Sequence, residues 1–182
     1  MRSRYRIHEP SQAHFITSTT VQWLPIFTSD KYCDIIVRSL SYCRANKALK
    51  IYAWVILYDH FHAIVAGPML SRTIADLRKF TAHEILAQLK EDGRDWLLNQ
   101  LEFYRAKHKS ASSHQVWQEG VHPQSLPTDE IMFQKLEYVH NNPIRRGFVA
   151  SPGHWRYSSA HEWLPGGNPL LRVDDWRQAG SD

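Results

Sequence analysis

Little in these 182 residues marks a specialised chain. Cysteine is scarce. Cys33 and Cys43 fall in one predicted helix, about 15 Å apart along its axis, too far for a disulfide. A reducing, cytoplasmic compartment is the expectation. No apolar run approaches the roughly 20 residues of a membrane span, so no membrane association is expected. The basic opening Met1-Arg2-Ser3-Arg4-Tyr5-Arg6 leads into no apolar stretch and does not read as a signal peptide. Internal repeats and low-complexity linkers are missing. Neither sign of charge dominates: 22 Lys and Arg stand against 18 Asp and Glu, which favours a polyanionic partner only mildly. With 43% hydrophobic residues, the chain can bury one sizeable core and is too short for two.

What is present is unevenly distributed. Arg2, Arg4 and Arg6 crowd the start, Arg44, Lys47 and Lys50 follow one another, and Arg145 and Arg146 are adjacent. Seven tryptophans and eight tyrosines offer stacking surfaces for unpaired bases. The plainer reading is solvated basic surface and aromatic core.

The β-branched stretch 14–21 reads as a strand. Ser29 or Asp30 can cap a helix to about Asn46, with Tyr32, Ile35, Ile36, Leu40 and Cys43 on its apolar stripe. Residues 51–58 form a nearly continuous apolar run, expected as a central strand that takes in Tyr52 and Tyr58. A second strand over 61–66 would pair with it as a hairpin, and Gly67-Pro68 ends it. A long amphipathic helix follows over about 71–90. Residues 97–104 fit helix or strand, 107–114 read as a polar loop, and 116–118 as a short strand. Asp129 can cap a last helix to about Asn142, where Pro143 disfavours further helix. The order β-α-β-β-α-(β)-α predicts an α+β fold. The ferredoxin-like or RRM-like form fits, with helices packed on one antiparallel sheet. Residues 1–163 would form the domain, and 164–182 an irregular C-terminal extension.

Two features carry chemistry. In Asp59-His60-Phe61-His62-Ala63-Ile64-Val65, strand alternation turns His60 and His62 to one face and Phe61, Ala63 and Val65 to the other. Two imidazoles side by side make a divalent-metal half-site. The bland alternative is two histidines on an exposed strand face. Nothing in Ala63-Ile64-Val65-Ala66-Gly67-Pro68 supplies a further ligand, so the rest of any site comes from elsewhere. In the second feature, Leu136-Glu137-Tyr138-Val139-His140-Asn141-Asn142-Pro143, the apolar stripe is Met132, Leu136 and Val139. Tyr138 lies about 120° from its centre, with Asn142 one turn on along the same flank. A boundary tyrosine with its hydroxyl in water is the alternative.

Together the two features resemble a family. His60-Phe61-His62 is similar to the His-hydrophobe-His motif of HUH nucleases. The run Tyr138-Val139-His140-Asn141-Asn142-Pro143-Ile144-Arg145-Arg146-Gly147 resembles the Tyr-Ile-His-Asn-Asn-Pro-Val-Lys-Ala-Gly signature of their single-tyrosine branch. Further matches are Arg4-Tyr5-Arg6-Ile7-His8, His14-Phe15-Ile16-Thr17, Val116-Trp117-Gln118 and Trp155-x-Tyr157-Ser158-Ser159-Ala160. The best match is the REP-associated tyrosine transposase group, within IS200-like transposases, over roughly residues 2–163. The chain departs from the pattern at Tyr58-Asp59, where the family often has Pro-Asn or Pro-Glu. It departs again at Gly120-Val121-His122, which lacks the usual aromatic-Asp.

The resemblance implies cleavage and rejoining of single-stranded DNA beside a hairpin of the REP palindrome kind. Tyr138 would be the nucleophile, and His60, His62 and Asn142 would hold Mg²⁺ or Mn²⁺. Arg2, Arg4, Arg6, Arg145 and Arg146 are the candidate DNA contacts, and a monomer or homodimer is expected. Because the histidines ligate only when neutral, activity is expected to fall in acid. A non-catalytic hairpin-binding protein and a metal-dependent hydrolase using the histidine pair are the rivals.

Overall fold

In a computed structural model describing residues 12–106, 112–121 and 123–178, four antiparallel strands and four helices build the predicted α+β architecture. The strands are β1 (His14–Thr19), β2 (Lys50–Ile56), β3 (His60–Ala66) and β4 (Gln124–Ser125). They lie in the order β2-β3-β1-β4. The helices are α1 (Asp30–Asn46), α2 (Leu70–Glu91), α3 (Asp95–Phe103) and α4 (Asp129–Arg145). Residues 97–104, which fit helix or strand in sequence, are helical: α3 takes in all but Tyr104, which caps its end.

Both sheet faces are covered, which explains the unbroken apolar runs of β2 and β3. On one face Phe61, Ala63 and Val65 pack with Ile36 and Leu40 of α1 and Ile74 and Leu77 of α2. On the other, Phe15, Val55 and Ile64 pack under Leu136 and Val139 of α4. Each fully buried large apolar side chain contributes roughly 1.5–3 kcal/mol. The cysteines are free and buried, and burial pushes the Cys33 thiol up to about 12.

Three expectations need correcting. Residues 116–118 form no strand. They make one bridge, Thr20 with Trp117, and are pinned by Arg78, whose guanidinium donates to the Gln118 and Gly120 carbonyls. The fourth strand is instead the two-residue β4, too short to leave a periodic signal. The 51–58 strand ends at Ile56, so Tyr58 lies in the turn before β3 and is 41% exposed. Finally, α4 is capped by Thr128, whose Oγ1 accepts from the Ile131 N–H at 3.3 Å, with Asp129 and Glu130 in the favourable first turn.

α4 also runs through Pro143 to Arg145. Its end is a Schellman closure. The Gly147 N–H donates to Ile144 at 2.8 Å and the Phe148 N–H to Pro143 at 2.9 Å. Gly147 has φ 71°, which a side chain would strain. The Pro-Ile-Arg-Arg-Gly run thus ends α4 at a fixed place and sets the direction of Arg145 and Arg146.

Beyond α4 the chain makes short 3₁₀ turns and returns along the outer edge of β2. The Ile56 N–H donates to Tyr157, Ser159 bonds both backbone groups of Trp54, and Ile51 exchanges bonds with Asp174. A free sheet edge is thereby covered. Asp174 also takes a bidentate pair of bonds from Arg44 at 2.9 and 3.1 Å. Burial opposes ionisation of Asp174. The Arg44 guanidinium and the Ile51 N–H outweigh it and hold the carboxyl below its ordinary range. Asp174→Ala is therefore expected to cost about 2 kcal/mol, a melting point lower by roughly 4–8 °C. A depressed carboxylate stabilises the fold above its unfolded pKa of 3.8, and that contribution is lost as pH falls through the lower folded value. Thermal melts should show the variant's deficit at pH 7 and its disappearance in strong acid. An equal deficit at both would assign it to packing.

Candidate active site

The first two site residues come from β3. His60 and His62 share the face under α4, each 5% exposed, with ring centroids 4.6 Å apart. They are therefore not surface histidines. Register sets their neighbours: on β1, Thr19 lies opposite His60 and Thr17 opposite His62. Thr17 Oγ1 lies 2.8 Å from His62 Nδ1, and Asp59 Oδ1 lies 2.5 Å from His60 Nδ1. Asp59 is ionised: burial works against it, but the His60 hydrogen bond and the nearby charges of His60 and Arg146 hold its carboxyl low. An ionised carboxylate only accepts, so His60 Nδ1 donates to it. At His62 the buried Nε2 has no partner among the described residues. An unpaired buried nitrogen is costly, and a ligand there removes the cost.

Burial first, then the positive charges of His60, Arg146 and Lys135, push His62 from 6.5 down to about 3. The ring is neutral at ordinary pH. The expected acid loss of activity therefore does not begin at this ring near its usual value.

α4 supplies the rest. The partly buried Tyr138 ring lies 5.4 Å from that of His62 and 5.7 Å from that of Phe15. Lys135 Nζ and the Arg145 guanidinium each lie 5.4 Å from the centre of the Tyr138 ring. Arg146, exposed one residue on, is close enough to act electrostatically on both His62 and Asp59. Asn142 lies between Tyr138 and Arg146 at four-residue steps on one helix flank and is 5% exposed. Thus His60, His62, Tyr138, Arg145 and Arg146 converge, and Asn142 lies on the helix flank that meets the histidines. Arg2, Arg4 and Arg6 lie outside the described residues. His140, beside the tyrosine in the signature, faces away: its Nε2 bonds Ser159 Oγ at 2.9 Å, and burial lowers it to about 4. It ties α4 to the C-terminal segment.

Sequence reasoning missed Thr17, Asp59 and Lys135. Thr17 emerges only from the β1–β3 register. Asp59 stood beside the first histidine as a departure from the family pattern. Lys135 precedes Tyr138 by about one turn of α4.

Among the described residues no three His, Cys, Asp or Glu side chains cluster to hold a cation. The histidine pair supplies two such donors, and Asn142 carries an amide oxygen on the α4 flank that also bears Tyr138.

The chain is similar to proteins described as transposases, and two of them carry the name of the group its motifs resemble. A Haemophilus influenzae protein described as a REP-associated tyrosine transposase is 26% identical over 128 residues, 65% of this chain and 67% of that protein. The solved structure of a REP-associated tyrosine transposase bound to a REP hairpin superposes with a TM-score of 0.67 at 18% identity. The match covers 96% of this chain and 93% of that one, and it shows the shared fold. A Deinococcus radiodurans protein described as a transposase gives a TM-score of 0.45 at 12% identity, over 76% of this chain and 95% of that one, too loose to argue from. No protein-family model matches the chain.

Proposed function

We propose that the protein is a single-tyrosine HUH transposase, an endonuclease and strand transferase for single-stranded DNA beside hairpins of the REP kind. It would act in the cytoplasm as a monomer or homodimer; no described helix is long and apolar enough to cross a membrane. One observation carries the reading. The Tyr138 ring lies 5.4 Å from that of His62, whose buried Nε2 is unpartnered. The REP-hairpin complex of the structural neighbour and the name of the Haemophilus relative support the substrate class.

His60, His62 and Asn142 are the residues that would hold Mg²⁺ or Mn²⁺. The engaged Nδ1 atoms and the free His62 Nε2 suit such an ion. Bound there, the ion would polarise the scissile phosphate. Tyr138 does the bond chemistry. Its oxygen attacks phosphorus and its proton is released; the bond from phosphorus to the 3′ oxygen breaks, and that oxygen leaves as a 3′-hydroxyl. The resulting 5′-phosphotyrosine keeps the phosphodiester energy, so an incoming 3′-hydroxyl reverses the attack and joins strands without ATP. Lys135, Arg145 and Arg146 meet the phosphate charge, and Arg2, Arg4 and Arg6 are proposed to contact the backbone further along.

The test is incubation with hairpin-flanked single strands and Mn²⁺, read as a protein–DNA adduct that survives SDS. Binding without adduct would favour a hairpin-binding protein, and turnover without adduct a hydrolase.

The roles of Thr17 and Asp59 are separately measurable. By holding Nδ1 they orient the two rings and fix which nitrogen is free. Thr17→Val and Asp59→Ala are expected to weaken Mn²⁺ binding about 10- to 100-fold in calorimetry without DNA. Thr17→Ser and Asp59→Asn, which keep an oxygen in place, should recover most of it. Unchanged affinity in the first pair would remove their positioning role.

A further inference from the structure

Tyr58 is an aromatic residue left half open at the mouth of the site. It immediately precedes Asp59 and His60, and its ring centroid lies 4.5 Å from Phe148 and 5.7 Å from Trp155. Phe148 and Trp155 stack on each other at 5.4 Å and 27°. All three rings come from fixed backbone. The Trp155 N–H donates to Ile56 at 2.8 Å, Phe148 closes the end of α4 on Pro143, and the Tyr58 carbonyl accepts from Phe27 at 2.9 Å. A tyrosine serving only as core would be covered, as Tyr32 is at 1%. Tyr58 is 41% exposed. Beside this cluster stand the exposed Arg145 and Arg146, three and two residues before Phe148, and Arg146 acts on Asp59 next to Tyr58.

A rigid aromatic surface beside exposed cations is the arrangement that binds unpaired nucleic acid. A base stacks on the ring, and the cations take the phosphates. Bases in a duplex are already stacked on their neighbours and gain little from such a surface. We infer that Tyr58, backed by Phe148 and Trp155, stacks an unpaired base of the strand flanking the hairpin and so sets which nucleotide stands at the site. The inference rests on the function proposed above and adds to it the residue that holds the single-stranded flank.

The experiment compares a hairpin with a single-stranded flank to the same hairpin without one. 2-Aminopurine is placed at each flank position in turn, and the full chain carries Tyr58, Phe, Leu or Ala at residue 58. The unaltered protein should quench 2-aminopurine at one flank position. Tyr58→Phe should keep that quenching and the affinity. Tyr58→Leu, which keeps apolar bulk over Phe148 but has no π face, should lose the quenching, as should Tyr58→Ala. Both should bind the flanked hairpin about 5- to 150-fold more weakly, with the flankless hairpin unaffected. Equal affinity and equal quenching for the Leu variant would overturn the inference. So would equal weakening on both hairpins, which would mark a structural loss. The Tyr138 adduct, formed by the unaltered protein in the same tubes, reports separately on the parent function. With the adduct present and the Leu variant unchanged, only the stacking role falls. With neither adduct nor hairpin binding, both fall.

Discussion

Tyr138→Phe is expected to bind hairpin DNA and metal normally, to form no covalent adduct, and to cleave roughly 10⁴-fold or more slowly. The substitution removes one oxygen and keeps the ring against Phe15, His62, Lys135 and Arg145. The phenol makes no hydrogen bond to another described residue, so its loss leaves no buried partner unpaired. The melting point should stay within about 2 °C of the unaltered protein. The choice among eight tyrosines is a strong one. Tyr32 and Tyr157 are buried and donate to Asp92 and Asp34, while Tyr52 lies under α4 in the core. Peptide mass spectrometry of the adduct decides it. DNA on another tyrosine would move the nucleophile and leave the class intact. Cleavage by the Phe variant without any adduct would point to a hydrolase.

Sequence patterns revealed the elements whose side chains repeat with a period. Strands β1 and β3 and helices α1 and α2 lie within a residue or two of their expected ranges, because each presents a long apolar stripe or run to a core. Patterns failed where the structure is set by partners distant in sequence. β4 spans two residues and exists only because β1 offers an edge. The 116–118 segment pairs with residues 19–21 through two backbone bonds and a single bridge, and Arg78 takes the Gln118 carbonyl, so the pairing goes no further. Pro143 disfavours helix at the preceding Asn142 on local sterics alone. The Schellman closure at Gly147 lets the helix continue through it.

The site divides in the same way. Strand alternation was enough to place His60 and His62 on one face, since that depends only on neighbours in sequence. Their burial was not legible. It depends on α4 crossing that face from about seventy residues away. Tyr58 was read with the core because its apolar run continues past Ile56. The strand ends two residues earlier, and that small shift turns an expected core residue into a half-exposed one.

Replacing both His60 and His62 by Ala should abolish cleavage while hairpin affinity stays within a few-fold of the unaltered protein. The two effects separate because they rest on different groups. Affinity for nucleic acid comes mainly from cations meeting phosphates, and Arg145 and Arg146 are exposed on α4 rather than held by the histidines. Cleavage requires charge to be met at the scissile phosphate, where the histidines would hold the ion. The double variant also strips Thr17 and Asp59 of their partners and leaves space beneath α4, a destabilisation of roughly 1–3 kcal/mol. A His62→Gln variant controls for this, because it keeps most of the bulk and a polar atom for Thr17 but offers a poorer metal donor. It should melt close to the unaltered protein, bind hairpin, lose most Mn²⁺ affinity and form little adduct. If the double variant cleaves at full rate in metal-containing buffer, the histidines have no part in the chemistry. If it loses hairpin binding while His62→Gln retains it, the loss comes from a loosened fold and not from the missing ligands.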